Sequence, residues 1–345
     1  MDETLDDFED KDISKELEKG KSCNLTKKNL IIIISACVSS IIIIAFILFL
    51  VLYKRNETTD NKDNNDNKKN LPTDVSEIVC NYFVSEYDLN ISILSPEFVK
   101  PDYFDIIIDN KAIEFSHYYN FSKSGNNIIK YIFYTDFVMD NMFKDIRGLT
   151  SVNMTTAKNV KILSMKSTFE SCINFEKFEI HGFNLDNLQS INKIFSGTKI
   201  SNINMEEFNM GKIEDLSYMF SFLDIEEINI NGMNTKNVKN MSNMFYGSYL
   251  KKITLNKINT KNVIDMSNMF SHCESLTSLD ISELNTYSVI NMSGMFQNCL
   301  SLKTLNIEGI NTKNVIDMSH MFDNVINIKE ININNLDTSN IDRKS

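Results

Sequence analysis

The chain has 345 residues, with 46 acidic and 35 basic side chains and a formal net charge of −11. No basic stripe marks a nucleic-acid binder, and only Arg55, Arg147 and Arg343 offer the planar fork suited to phosphate. Among the 10 glycines no two have G-x-G spacing, so a dinucleotide fingerprint and a phosphate loop are both excluded. H-E-x-x-H and C-x-x-C are missing too, which removes the common zinc and redox motifs. No cofactor, metal or small-molecule substrate is therefore expected, and the chain does not read as an enzyme.

Residues 1–29 are polar and of mixed charge, and are predicted to be a flexible tail. Residues 30–53, LIIIISACVSSIIIIAFILFLVLY, hold no charge, and about 20 apolar residues suffice to cross a bilayer. The run is too long for a cleaved signal sequence and ends in bulky residues, so it predicts a retained signal-anchor helix. Five basic residues precede it from Lys15 to Lys28 and five follow it from Lys54 to Lys69, so flanking charge barely orients the span. Residues 54–74 are largely Asn, Asp and Lys and predict a disordered linker. Residues 75–140 are rich in Ile, Phe and Tyr, with turn signals at Asp109-Asn110 and Ser124-Gly125-Asn126. They predict three or four antiparallel strands that form a β-rich cap on the C-terminal part of the chain.

From residue 141 to 345 a repeat dominates. Phe143, Phe169, Phe195, Phe220, Phe245, Phe270, Phe296 and Phe322 recur every 25 or 26 residues. Leu149, Phe175, Ile200, Ile225, Leu250, Leu276, Leu302 and Ile328 keep step with them. The clearest unit, LTSLDISELNTYSVINMSGMF, starts at Leu276 with an L-x-x-L-x-I strand. An Asn-Thr step comes next, placed to turn the chain and, through stacked Asn, to bond the next coil. Then V-x-x-M-S-x-M-F turns inward, its Ser placed to cap one helical turn. A unit this short cannot close a core alone, so about eight coils should stack into a solenoid.

The stretches LTSLDISELNTYSVINMSGMFQNC and LKTLNIEGINTKNVIDMSHMF resemble the repeat of BspA-like leucine-rich-repeat surface proteins, the type found in mycoplasmas, gut bacteria and some protists. The resemblance covers roughly residues 141–341 and weakens in the first units, where Thr168-Phe169 and Ile194-Phe195 replace Met-Phe. It implies an α/β fold, a leucine-rich-repeat-like solenoid of short parallel strands and short helical turns. It also implies display outside the cell on a single-pass membrane anchor and recognition of, or adhesion to, a protein or glycan. The alternatives are a non-binding structural coat or, with reversed topology, a cytosolic interaction scaffold.

Only the outward strand positions are free to vary with function. They are Glu226, Glu227, Asn229, Lys251, Lys252, Thr254, Thr277, Ser278, Asp280, Lys303, Thr304, Asn306, Lys329, Glu330 and Asn332, and they form the candidate binding face. Cys172, Cys273 and Cys299 each lie three residues after a repeat Phe. They read as small buried side chains, with a Cys273–Cys299 disulfide as the competing reading. His272 and His320 occupy different repeat positions and read as structural, and the Met ladder coupled to Phe reads as core.

Overall fold

A computed structural model describes residues 75–156, 160–183, 185–201, 210–231, 233–255, 258–329, 331–333 and 336–341. Every described residue belongs to one unit of the chain, residues 70–345.

The first part of this unit is antiparallel. Strand β1 (Ser76–Val84) alternates inward and outward side chains, burying Ile78, Cys80, Tyr82 and Val84, as a strand with one covered face must. Strands β2 (Asn90–Ser92) and β5 (Tyr118–Asn120) pair separately. Strands β3 (Phe104–Ile108) and β4 (Lys111–Ile113) form a hairpin. Its two connecting residues, Asp109 and Asn110, both have positive φ, 52° and 62°. That backbone matches the right-handed twist of the flanking strands, and Asp and Asn tolerate it. Strand β6 (Gly125–Phe133) pairs with both β1 and β3.

The repeat begins on the free side of β1. Strand β8 (Leu149–Thr156) pairs antiparallel with β1, and β10 (Lys177–His181) pairs parallel with β8. One six-stranded sheet, in the order β10-β8-β1-β6-β3-β4, therefore joins the antiparallel region to the repeat. Strand β1 satisfies the edge that β8 would otherwise expose. A second, two-strand parallel contact, β7 (Phe137–Val138) with β9 (Ile162–Ser164), lies alongside.

Four later coils each contribute a three-residue strand: β11 (Glu227–Asn229), β12 (Lys252–Thr254), β13 (Ser278–Asp280) and β14 (Thr304–Asn306). β11 pairs parallel with β12, and β13 with β14. The strands mark a β-solenoid of about six turns.

Inside runs the phenylalanine ladder. All eight rings stack in sequence, with centroids 5.6–6.1 Å apart and planes within 2–18° of parallel. Coils repeat about every 4.8 Å, so the longer centroid spacing means slipped stacking, which suits the ring quadrupole. The column continues backwards through Tyr131, edge-on to Phe143 at 5.5 Å, so both regions share one hydrophobic core. Each fully buried ring contributes roughly 1.5–3 kcal/mol of transfer free energy.

Two expectations are corrected here. The first concerns the helical turns: there is no helix among the described residues. In every coil the residues two before and two after the repeat Phe have positive φ. In one coil these are Tyr218 and Phe222, at 58° and 54°, and in the next Asn243 and Gly247, at 57° and 65°. A left-handed residue every fourth position prevents the run of right-handed residues that an α-helix requires. The backbone splits its bonds instead. Met219 and Ser221 donate N–H to Leu216 and Tyr218, three residues back, at 3.1 and 3.2 Å. Tyr218, Phe220 and Phe222 donate N–H to Ser242, Met244 and Tyr246 of the next coil, at 3.2, 2.9 and 2.8 Å. The repeat Ser does not cap a helix. Its N–H is held by the side chain two residues before it, as in Ser217 to Asp215 Oδ1 at 2.8 Å and Ser242 to Asn240 Oδ1 at 2.9 Å.

The second correction concerns the signal-anchor, the transmembrane helix and the single-pass membrane localisation built on them. Among the described residues no helix is long and apolar enough to cross a membrane. The segment on which that reading was placed, 30–53, lies outside them, as do the tail 1–29 and the linker 54–74.

Candidate functional site

The repeat first has to hold its own coils together, and the residues used for that are not available to a partner. The Asn-Thr steps supply one set of bonds. Thr235, Thr260, Thr286 and Thr312 are buried, and each donates its Oγ1 hydrogen to a carbonyl of the next coil at 2.9–3.0 Å: Asn259, Asn285, Asn311 and Asp337. Thr235, Thr286 and Thr312 also accept an N–H from that coil at 2.7–3.0 Å. The expectation that Asn makes the inter-coil bond is thus corrected. The Asn turns its side chain onto the backbone two residues on, as in Asn259 Oδ1 with Lys261 N–H at 3.1 Å, the local turn that short amide side chains favour.

A second set lies three residues after each Thr-preceding Asn. Asn262, Ser288, Asn314 and Asn340 donate side-chain hydrogens to the previous coil's Lys236, Lys261, Tyr287 and Lys313 carbonyls, at 2.6–2.7 Å. Sequence reading missed this row. The N-T-x-N spacing carried the signal, but abundant Asn masked it.

The described cysteines, Cys80, Cys172, Cys273 and Cys299, are all free and buried. No Cys273–Cys299 disulfide forms. Each thiol of the repeat instead donates to the carbonyl of the preceding coil's Phe: Cys273 to Phe245 and Cys299 to Phe270, both at 3.1 Å, and Cys172 to Phe143 at 2.8 Å. Ser248 at the same repeat position donates to Phe220 at 2.7 Å. Cys here is therefore a larger serine. Burial drives the Cys273 thiol well above its ordinary value and pushes Cys299 up to about 12, so neither behaves as a nucleophile near neutrality. His272 shares a hydrogen bond with Asn298 at 3.0 Å, and His320 pairs with Asp323 at 2.5 Å. No group of three or more His, Cys, Asp or Glu suited to a metal occurs among the described residues.

What remains is the outward strand face. Glu226, Glu227, Asn229, Lys251, Lys252, Thr277, Ser278, Asp280, Lys303, Thr304, Asn306, Lys329 and Asn332 are exposed. Thr254 is half-buried, and Glu330 lies outside the described residues. Parallel register sets Glu227 beside Lys252 and Asn229 beside Thr254, then Ser278 beside Thr304 and Asp280 beside Asn306. Ile228, Ile253 and Leu279 between them point inward and are buried. Several outward residues have partners on the chain, among them Glu226, Lys251 and Asp280. Lys251 pairs with Glu226 at 2.5 Å. Asp280 accepts from the Ser282 hydroxyl at 2.6 Å and its N–H at 2.9 Å, and these bonds hold its carboxyl below the usual range. Lys252, Ser278, Asp280, Lys303, Thr304 and Asn306 line a shallow groove of about 500 Å³ along β12, β13 and β14. It carries hydroxyl, amide, ammonium and carboxylate groups but no nucleophile–base pair.

No curated protein and no solved structure matches the chain. One family profile does, over two overlapping stretches, residues 137–252 and 221–336. Together these span more than half of the sequence and the solenoid just described. The chain therefore belongs to the family described as Mycoplasma protein of unknown function, DUF285.

Proposed function

We propose that the solenoid is a BspA-like recognition scaffold, whose outward strand face binds or adheres to a protein or a glycan. The observation that carries this is a division of labour along each coil. Thr, the second Asn and the backbone of the turns hold the stack together, while the in-register strand side chains stand exposed and line the groove over β12–β14. Repeat arrays present extended, evenly spaced polar groups in this manner and bind through them. Ammonium, amide and hydroxyl groups at coil spacing can read sugar hydroxyls or an extended peptide equally well.

The test is a binding screen of the full chain against a glycan array and immobilised host and bacterial proteins. The double substitution K252E/K303E is carried in parallel. Both side chains are exposed, so folding should be unchanged by circular dichroism. Specific capture by the parent that the variant loses supports the reading. Capture by neither, or equal capture by both, would leave the strand face a plain solvated surface and favour a structural coat.

A further inference from the structure

A second feature lies on the turns that lead into β11, β12 and β13, away from the residues assigned to the strand face. The position two after the repeat Phe has left-handed backbone in every coil, and elsewhere in the array it is Asp145, Ser171, Gly197, Gly247, His272, Asn298 or Asn324. Those are residues that are small or polar, and His272, Asn298 and Asn324 are joined by side-chain hydrogen bonds from coil to coil. At Phe222 it is a bulky aromatic with φ 54° and half its surface exposed. Burial does not compensate that strained backbone, so the fold alone gives no reason for the ring.

The surroundings are fitted to it. Gly247 of the next coil leaves the space that the ring occupies: a Cβ there would stand 2.7 Å from the Phe222 ring. Tyr246 meets Phe222 edge-on at 5.4 Å, and the His272 ring lies 5.1 Å beyond Tyr246. Tyr249, 64% exposed, closes the side. All of these, with Glu274, line one surface concavity of about 220 Å³. The Glu274 carboxylate is exposed and has no ion-pair partner among the described residues.

We propose that this aromatic concavity binds an alkylated ammonium group. Aromatic faces present negative charge to a cation, and several around one small space hold a methylated ammonium that water hydrates only weakly. The carboxylate at the rim supplies the counter-charge. A sugar would also stack on Phe222, but stacking alone does not call for an unpaired anion beside the rings.

The test uses the full chain and choline as probe. Calorimetry gives the affinity, and Tyr246→Leu and Tyr249→Leu variants assign it to these rings. The expected result is saturable choline binding, with 3,3-dimethylbutanol, its neutral isostere, about tenfold weaker. Glu274→Gln should weaken choline and leave the isostere unchanged. Phe222→Gly should weaken both, and removing the Cβ relieves the strain of a φ of 54°, so it should fold at least as well. Equal binding of the two probes overturns the proposal in favour of a plain apolar cleft. Binding of hexoses without choline overturns it in favour of a glycan subsite, and no binding of any probe overturns it outright. K252E/K303E must leave choline binding intact, which separates this site's failure from failure of the strand-face reading.

Discussion

The antiparallel region before residue 139 and the repeat after it solve the same problem with opposite means. In the first, strands of nine residues carry the cohesion: β1 and β6 match over nine consecutive pairs, Ser76–Phe133 to Val84–Gly125. In the second, beyond β10, strands of three residues cannot. Cohesion there moves to the turns, to the buried Thr row and to the stacked rings. The antiparallel region also holds one buried carbonyl redundantly. Tyr82 and Tyr131 both donate to the Ile93 carbonyl, at 2.6 and 2.8 Å, and their hydroxyls lie 2.9 Å apart. In the solenoid each of these Thr hydroxyls serves a single junction between coils.

That contrast can be broken by substitution. The largest effect is expected from Phe245→Ala, which removes a ring stacked at 5.7 Å on both Phe220 and Phe270. Chemical denaturation should register a loss of about 3–5 kcal/mol. A loss under about 1 kcal/mol would mean that the ladder fills space without holding it. Thr286→Val keeps the shape but removes a hydroxyl that both donates to Asn311 O and accepts Asn311 N–H. One buried N–H is left unpaired, so about 1–3 kcal/mol should be lost, and hydrogen exchange should accelerate at that junction first.

Asn243→Ala tests the left-handed turn. At φ 57° an added alanine should lower stability by about 1 kcal/mol, whereas Asn243→Gly should be neutral or mildly stabilising. If both behave alike, the backbone conformation is not what selects this position. The smallest effect belongs to the cap. Tyr131→Phe leaves the Ile93 carbonyl still bonded by Tyr82, so the urea midpoint should shift by no more than about 1 kcal/mol allows. A larger loss would show that the two hydroxyls act as one unit and not as mutual reserve.

Reading the residues placed the ladder of inward side chains well. Phe143 to Phe322 are the column, and Leu276, Leu279 and Ile281 are buried while Thr277, Ser278 and Asp280 are exposed. Alternation is a two-residue period and survives in any strand. The helical reading of M-S-x-M-F failed because apolar spacing of three and four is shared by a helix and by this ladder of tight turns. Sequence also offered no way to see which neighbouring coil a hydroxyl would reach. The Asn-Thr step was legible as a turn, but Thr as the bridge was not. Phe222 was legible as an aromatic residue, but only the structure shows that it shares the left-handed φ of its seven counterparts, with its ring over the space left by Gly247.

The sequence by itself determined the period, the inward faces and hence a stacked array, because a repeated apolar pattern can bury itself only against its own copies. Tertiary structure alone decided the turn conformation, the direction of each side-chain bond and the company that Phe222 keeps. Those depend on which atoms the adjacent coil brings within about 3 Å, a distance between residues some 25 positions apart that no local pattern encodes.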